Sequence, residues 1–299
     1  MLKNFEALKQ KVLSSETQKT IALAAAEDAA SLSAIALAEK QLGLKYVLVG
    51  DKDKILHITA EVGFAVDESQ IIQANSHEEA AKIAVNLVRE GKADILMKGK
   101  LQTGTLLKAV VDKDNGIRRG GLMSHLAVLE SPNYHKLIFT TDGGMVVGPD
   151  MTQKRDILEN AVDFLRQLGY EMPKVAALAA VENINEKMPE TVDAGHLANL
   201  NHSGEIKNCI IEGPLSFDLA ISAESAKIKG VDSQISGETD IFLAPDIATA
   251  NIMSKALIYL GGAKMAGCVL GAQAPIVLVS RGASSEEKML SIMLTMAAC

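Results

Sequence analysis

Side chains capable of acid–base and anion-binding chemistry cluster near the end of the chain. Ser280 and Arg281 follow the apolar run Ile276–Val279, and Glu287 comes seven residues after the serine. A serine hydroxyl can donate to a carbonyl oxygen, a guanidinium can neutralise a phosphate, and a carboxylate can accept a proton. Ser284 and Glu287 also have the spacing of a capping box, in which Glu287 would bind a backbone N–H group at the start of the last helix. The sequence leaves both roles of Glu287 open.

A second cluster lies in the segment 97–105, with the sequence MKGKLQTGT. Gly99 and Gly104 have the spacing of a P-loop, but a threonine stands where that motif requires lysine, which argues against a nucleotide site. Lys100, Thr103 and the backbone N–H groups at the start of a helix would still suit a phosphate or a carbonyl oxygen. An ordinary strand-to-helix turn with solvated lysines explains the same pattern.

Two more glycine-rich segments could contact a ligand. The segment 115–121, NGIRRGG, contains paired arginines that could hold an anion or could belong to a surface turn. In the segment 141–145, TDGGM, Gly143 and Gly144 would allow a ligand to approach the backbone closely, although a tight turn needs glycine equally. Asp142 has no second carboxylate or histidine nearby in sequence, as a metal site would require.

The composition argues against several classes of function. The chain has 299 residues and a net charge of −7, and an acidic chain is a poor nucleic-acid binder. Its six histidines lack metal-ligand spacing, so no metal is expected. Its three scattered cysteines argue against a disulfide framework and predict a reducing, cytoplasmic location. We find neither a signal peptide nor an apolar run of membrane-spanning length, so no membrane partner is expected.

Short apolar runs alternate with helical segments along the chain, which predicts a mostly parallel α/β architecture. The predicted strands are 20–26, 46–50, 94–97, 135–140, 174–179, 209–212, 241–244 and 276–280. The predicted helices are 28–42, 77–90, 152–168, 186–199, 218–228 and 251–260. The length suits two domains, with a boundary near Thr140. In such sheets ligands bind beyond the carboxyl ends of strands, where the segments described above begin.

Four stretches of the chain resemble the phosphate acetyl/butyryl transferases. They are FLAPDIATAN at 242–251, APIVLVSRG at 274–282, TDGGM at 141–145 and EGPLSFD at 212–218. The resemblance extends over essentially the whole chain. Lys98, Gly99 and Lys100, with Thr103 and Gly104, look more like the butyryl branch than the acetyl branch.

This resemblance implies a fold and a reaction. The fold would be a two-domain, three-layer α/β fold of the isocitrate/isopropylmalate dehydrogenase-like type with an interdomain cleft. The first domain would comprise 1–139 and 267–299, the second 140–266, and the enzyme would form homodimers. The reaction would convert butyryl-CoA and phosphate to butyryl phosphate and CoA by direct transfer in a ternary complex. Coenzyme A would then be a substrate, and no metal or redox cofactor would be needed.

The resemblance also assigns roles to individual residues. Ser280 matches the family's active-site serine and Arg281 the adjacent arginine, while Glu287 stands where acetyl enzymes have an aspartate proposed as base for the CoA thiol. Lys108 stands where the acetyl branch has a substrate-binding arginine, and Arg119 is our candidate for the remaining phosphate arginine. We therefore predict catalytic roles for Ser280, Arg281 and Glu287. We predict substrate contacts at Lys100, Thr103, Lys108, Arg119, Gly143, Gly144 and Asn251.

Three alternative functions stay open at this point. The same chemistry could act on acetyl groups. The fold could instead serve a dehydrogenase, which would need a metal site and a nicotinamide site. The chain could also bind CoA or an anion without catalysis.

Overall fold

The computed structural model of the chain describes residues 2–280 and 282–299. The helices are α1 (Phe5–Leu13), α2 (Ala29–Leu42), α3 (Lys52–Glu61), α4 (His77–Arg89), α5 (Thr103–Val110), α6 (Met151–Gln167), α7 (Pro189–His202), α8 (Phe217–Ile221), α9 (Ala223–Lys229), α10 (Ile247–Tyr259) and α11 (Ser285–Ala298). The strands are β1 (Thr20–Ala24), β2 (Lys45–Gly50), β3 (Ile71–Gln73), β4 (Ile95–Lys98), β5 (Ser124–Glu130), β6 (Ile138–Thr141), β7 (Lys174–Leu178), β8 (Ile210–Leu215), β9 (Ile241–Leu243), β10 (Lys264–Leu270) and β11 (Ile276–Val277). A short 3₁₀ helix, Glu68–Gln70, precedes β3.

Contacts divide the chain into two compact units. Residues 5–123 and 266–299 form what we call the terminal unit, and residues 2–4 and 124–265 form the middle unit. Residues 124–139 belong to the middle unit because β5 pairs antiparallel with β6. The division drawn from the sequence, at Thr140, stays a prediction about how the chain is organised.

The terminal unit has a sheet whose strand order is β3-β2-β1-β4-β11-β10. β10 and β11 pair antiparallel, and the other neighbours pair parallel. Ile21 to Ala24 in β1 are fully buried. Central parallel strands are covered on both faces, which explains this continuous apolar run. α4 packs against β1, β2 and β4, and α11 packs against α1, α2 and β11. β1, β4 and β11 point the same way, so the residues that follow them meet at one edge of the sheet.

The middle unit has the strand order β5-β6-β9-β7-β8, in which all pairs except β5–β6 are parallel. Its core includes Phe242, Ile138 and Leu219, each fully buried. A buried ion pair ties its strands together at one end. The Nζ atom of Lys136, a residue with 1 % exposure, lies 2.7 Å from Asp240 Oδ1 and donates to a backbone carbonyl at 2.7 Å.

The predicted mostly parallel α/β architecture is confirmed, with some differences in individual elements. The predicted helix 218–228 is two helices, because Ser222 ends α8 and its side chain caps α9. β3, β5 and β10 were not predicted as strands, and α1 and α3 were not predicted as helices. Among the helices that the structure describes, none is both long and apolar enough to cross a membrane.

Candidate functional site

A cavity of about 330 Å³ lies in the terminal unit, where β1, β4 and β11 end. The residues lining it lie at or after the ends of these strands or near the starts of helices, and they are Asp28, His77, Lys98, Gly99, Lys100, Leu101, Gln102, Val279, Ser280 and Lys288. Open α/β sheets bind ligands at this edge. The cavity contains two residues that the sequence analysis selected, Ser280 and Lys100, together with side chains that it did not.

The loop after β4 lies directly against the end of β1. The backbone N–H groups of Gly99 and Lys100 donate to the carbonyl oxygens of Ala24 and Ala25 at 2.9 and 2.8 Å. A Cβ atom on Gly99 would lie 2.2 Å from the Ala25 oxygen, so any other residue would push the two segments apart. The Lys98 ammonium also donates to the Gly99 carbonyl at 3.2 Å. These contacts fix the loop and, with it, the position of Lys100.

Four helices begin around the cavity. Asp28 caps α2, and its Oδ1 accepts a hydrogen bond from the Ser31 N–H group at 2.8 Å. His77 is the first residue of α4, Gln102 is the N-cap residue of α5, and Lys288 is the fourth residue of α11. Helix starts carry partial positive charge and N–H groups that lack partners within the helix. With the lysines, they make the cavity suited to a phosphate or another small anion.

The start of α11 is fixed by a complete capping box. The Ser284 N–H group donates to Glu287 Oε2 at 2.7 Å, and the Glu287 N–H group donates to Ser284 Oγ at 3.1 Å. The structure therefore contains the capping interaction that the sequence left open, and Glu287 is absent from the described lining of the cavity. Ser280 is exposed, and its carbonyl accepts from the Ala283 N–H group at 3.0 Å. Arg281, predicted to be catalytic, lies outside the described residues.

Lys288 and Asp28 form a partly buried ion pair within the cavity. The Lys288 Nζ atom lies 2.8 Å from Asp28 Oδ1 and 2.8 Å from Ser31 Oγ. Asp28 Oδ2 is buried and accepts no hydrogen bond from any described residue. Burial raises the pKa of Asp28, but hydrogen bonds from Lys288 and Ser31 outweigh that effect and the pKa lies below its ordinary value. Asp28 is thus a carboxylate at neutral pH, with Oδ1 held by hydrogen bonds and Oδ2 without a partner among the described residues.

A second carboxylate holds the imidazole of His77. The Nε2 atom of His77 lies 3.4 Å from Glu27 Oε2, and the Asp51 N–H group donates to Glu27 Oε1 at 2.9 Å. The Glu27 side chain is 11% exposed, whereas that of His77 is 43% exposed. The pair therefore orients an imidazole that lines the cavity.

Three predicted substrate-binding residues of the terminal unit are not among those lining this cavity. Thr103 is the first residue of α5 and is half-buried. Lys108 lines a different cavity, of about 910 Å³, beside α4 and α5. The Arg119 guanidinium donates to the Gln273 carbonyl at 3.4 Å. The roles assigned to Thr103, Lys108 and Arg119 stay predictions.

The structure brings the three predicted residues of the middle unit together. The side-chain amide of Asn251, in α10, donates to the Gly143 carbonyl at 3.1 Å. Asp142 follows β6 and is 2% exposed. Its Oδ1 accepts from the N–H groups of Gly144 and Met145 at 2.7 and 2.8 Å, which fixes the glycine turn.

A histidine packs beneath this turn. A Cβ atom on Gly144 would lie 3.0 Å from Cγ of His125, so glycine allows the turn to sit on the imidazole ring. The His125 N–H group donates to Asp142 Oδ2 at 3.0 Å, while the Nδ1 atom is buried without a partner among the described residues. Burial lowers the pKa of His125, against an opposing effect of Asp142. The imidazole is therefore neutral at pH 7.

Sequence reasoning did not select Asp28, Lys288, His77 or His125 as site residues. Asp28 stands at the start of a predicted helix, where aspartate often acts as a cap, but a cap alone indicates no chemistry. Its pairing with Lys288 joins positions 260 residues apart, which no local motif can reveal. The histidines are isolated in sequence, and isolated histidines are usually structural.

The described residues contain neither a disulfide nor a cluster of metal-binding side chains. Cys209, Cys268 and Cys299 are all free thiols. Within residues 2–280 and 282–299, no three His, Cys, Asp or Glu side chains form a group that could hold a metal ion.

Comparison with known proteins shows similarity over most of the chain. Residues 75–296 match the family model described as "Phosphate acetyl/butaryl transferase". Phosphate butyryltransferase from Clostridium acetobutylicum is 42% identical over 294 residues, which cover 98% of this chain and 97% of that protein. Phosphate acetyltransferase from Thermotoga maritima is 40% identical over 277 residues, covering 93% and 94%.

Two solved structures superpose on most of the chain. A branched-chain phosphotransacylase from Enterococcus faecalis superposes with a TM-score of 0.83 at 32% identity, covering 94% of this chain and 99% of that one. 4-Hydroxythreonine-4-phosphate dehydrogenase from Klebsiella pneumoniae superposes with a TM-score of 0.59 at 14% identity, covering 95% and 100%. The second likeness concerns the fold alone, and it agrees with the dehydrogenase-like architecture expected from the sequence.

Proposed function

Because the chain belongs to the phosphate acetyl/butyryl transferase family, we propose that this transferase moves a butyryl or similar short acyl group reversibly between coenzyme A and phosphate. In one direction, butyryl-CoA and phosphate give butyryl phosphate and CoA. The observation that carries the proposal is the cavity of the terminal unit, which Ser280 and Lys100 line together with residues from the starts of four helices. The family relation does not favour the dehydrogenase alternative.

The cavity has the charge needed to hold phosphate. The attacking phosphate is a dianion and must be held beside the acyl group despite its strong hydration. Lys100 and the N–H groups at the helix starts support binding of that charge. We assign Arg281 to the same task from its match to the family's Ser-Arg pair. Because both reactants are positioned in one cavity, much of the acceleration would come from their proximity.

Ser280 is our candidate for stabilising the reacting acyl oxygen. Attack on a thioester or acyl phosphate places negative charge on this oxygen in the tetrahedral transition state. A hydroxyl that donates to the oxygen stabilises the charge, and loss of one such donor typically costs about 3–4 kcal/mol. No covalent acyl-serine is needed, because CoA thiolate and phosphate are both good leaving groups. Transfer is then direct, within a ternary complex.

Other residues are assigned supporting roles. Leu101 and Val279 give the cavity apolar walls, which support binding of a short acyl chain. The capping hydrogen bonds of Glu287 support a role in positioning the start of α11. The predicted contacts of Gly143, Gly144 and Asn251 with substrate, and those of Thr103, Lys108 and Arg119, remain part of the proposal.

We further propose a homodimer in the cytoplasm. The dimer follows from the family resemblance. Three free thiols support a reducing compartment. Coenzyme A enters this scheme as a substrate, and the proposal involves no other cofactor.

Release of free thiol measures the proposed reaction directly. Purified protein is mixed with phosphate and with acetyl-, butyryl- or isobutyryl-CoA, and the thiol is followed with a chromogenic disulfide. We expect phosphate-dependent release, with the highest kcat/KM for butyryl-CoA. The acetyltransferase from T. maritima, 40% identical, makes acetyl the second candidate, and a higher kcat/KM for acetyl-CoA would select it. Absence of phosphate-dependent release with every acyl-CoA would refute acyl transfer and favour a binding protein without catalysis.

A further inference from the structure

We propose that the outward face of α10 is the surface through which two copies of this chain meet, an inference that rests on the proposed homodimer and names its interface. α10 lies in the middle unit, and its inward residues Met253, Leu257 and Ile258 pack against the core of that unit. Ala250 and Ser254 are buried on the same side of the helix. The opposite side of the helix faces solvent.

The outward face of α10 is apolar although it is open to solvent. Ile252 is 67% exposed, Tyr259 is 80% exposed, and Leu260, which ends the helix, is 90% exposed. Val147 is 75% exposed, and its carbonyl accepts the Ile247 N–H group at 3.4 Å, so it lies beside the start of the same helix. A helix on the surface of a monomer normally turns polar residues to water. Large apolar residues on both faces of α10 therefore indicate that a partner covers it.

The exposed apolar area matches what each subunit of a dimer must bury. Side chains of this size have about 150–200 Å² of surface, so Val147, Ile252, Tyr259 and Leu260 together expose roughly 500 Å². A continuous apolar patch of this size commonly marks an interface. A standard interface covers about 800 Å² on each subunit, and about 65% of that area is apolar in homodimers. The face of α10 supplies this apolar share.

The charge of α10 suits contact between two acidic chains. The chain has a net charge of −7, so two copies repel each other wherever their acidic surfaces meet. α10 contains one lysine, Lys255, and no carboxylate. Charged residues are depleted and tyrosine is enriched at the centres of interfaces. Two copies of this chain can therefore approach each other through α10 with little repulsion.

The spacing of small residues allows α10 to pack against α10 of a second copy. In a two-fold dimer both subunits use the same patch, so a patch centred on one helix brings the two copies of that helix together. Ala248 and Ala256 lie one turn before and one turn after Ile252, on the same exposed face. These small side chains leave space on both sides of Ile252, where the isoleucine of the second copy can pack. Ile252 is therefore expected near the two-fold axis.

The test compares Ile252→Glu with Ile228→Glu by analytical ultracentrifugation of the full chain. The wild type should sediment with twice the mass of the chain at micromolar concentration. Ile252→Glu brings two carboxylates to the centre of the interface, and like charges there should weaken the dimer at least about 100-fold. Ile228 is the matched control, because it is an isoleucine of the middle unit that is 78% exposed but lies in α9 between two lysines. Ile228→Glu should remain a dimer.

Cross-linking gives a second measurement, which holds even if the charged variant folds poorly. The variants are made in a Cys299→Ser background, because Cys299 is an exposed native thiol whereas Cys209 and Cys268 are buried. A short bis-maleimide should link two chains through Ile252→Cys. It should not link them through Ile228→Cys, whose side chain is equally open to the reagent.

The outcomes separate this interface from the proposed function. A dimeric Ile252→Glu variant, equal dissociation of Ile228→Glu, or absence of a link through Ile252→Cys overturns the α10 interface and leaves the homodimer and acyl transfer standing. A monomeric wild type overturns the interface together with the homodimer, and phosphate-dependent thiol release by that monomer leaves acyl transfer standing. A dimer held through α10 that releases no thiol from any acyl-CoA refutes acyl transfer and supports the interface.

Discussion

Replacing Gly99 by alanine tests whether the close approach of two backbone segments shapes the cavity. The added Cβ would lie 2.2 Å from the Ala25 carbonyl oxygen and 2.7 Å from that of Ala24. A carbon normally stays about 3.3 Å from a carbonyl oxygen, so the loop after β4 must move by about 1 Å. Overpacking of this kind costs about 1–3 kcal/mol of stability. Because Lys100 moves with the loop, kcat should also fall, by about 100-fold for a displacement of 1 Å.

The matched control for this variant is Gly104→Ala. Gly104 lies in α5, only five residues further along, and a Cβ there would meet no heavy atom within 4 Å. Alanine favours helix over glycine, so this variant should be stabilised by up to about 1 kcal/mol. Urea denaturation gives both free energies of unfolding, and thiol release gives kcat. If Gly99→Ala matches the wild type in both measurements, contact with the end of β1 does not position the loop and our description of the cavity is wrong.

Three further predictions concern other parts of the molecule. Ser280→Ala should lower kcat by about 10²–10³-fold with unchanged urea stability, and a near-normal kcat would remove the hydroxyl from the reaction. Lys136→Met should lower the free energy of unfolding by about 3–5 kcal/mol, because it leaves the Asp240 carboxylate buried without its cation; a loss under 1 kcal/mol in urea would contradict this. Burial raises the pKa of Cys209 to about 12 and raises that of Cys268 further. Both thiols therefore stay protonated at pH 8, and iodoacetamide should alkylate them on the order of 10³-fold more slowly in native protein than in urea; equal rates would show that they are accessible.

The central parallel strands could be predicted because strands that are buried on both faces consist almost entirely of apolar residues. β1 and β4 are apolar apart from Thr20 and Lys98 at their ends, and each is followed by a helical segment. Alternation of this kind indicates a parallel sheet. β5 and β10 were missed for a related reason. Each pairs antiparallel with the strand that follows it, and no helix separates the two members of either pair. A prediction that relies on strands alternating with helices does not detect such strands.

Some residues of the cavity could be predicted from their local sequence, whereas others depend on contacts between distant segments. Ser280 and Lys100 both follow parallel strands, so their place at one edge of the sheet can be read from chain position. The ion pair of Asp28 and Lys288 depends on how α2 and α11 pack, and neither residue has a distinctive neighbour pattern. Glu287 differs from these residues because its position after Ser284 fitted two roles, a helix cap and a proton acceptor. The structure contains both hydrogen bonds of the cap.

The position of β11 between β4 and β10 affects how the protein is made on the ribosome. β4 emerges early, but its neighbour is translated after about 140 further residues of the middle unit. At about 5–20 residues per second, that interval lasts on the order of 10 s, during which the nascent chain carries an unpaired strand edge. Such an edge can pair with other chains, so the nascent protein should depend on chaperones until β11 has been synthesised.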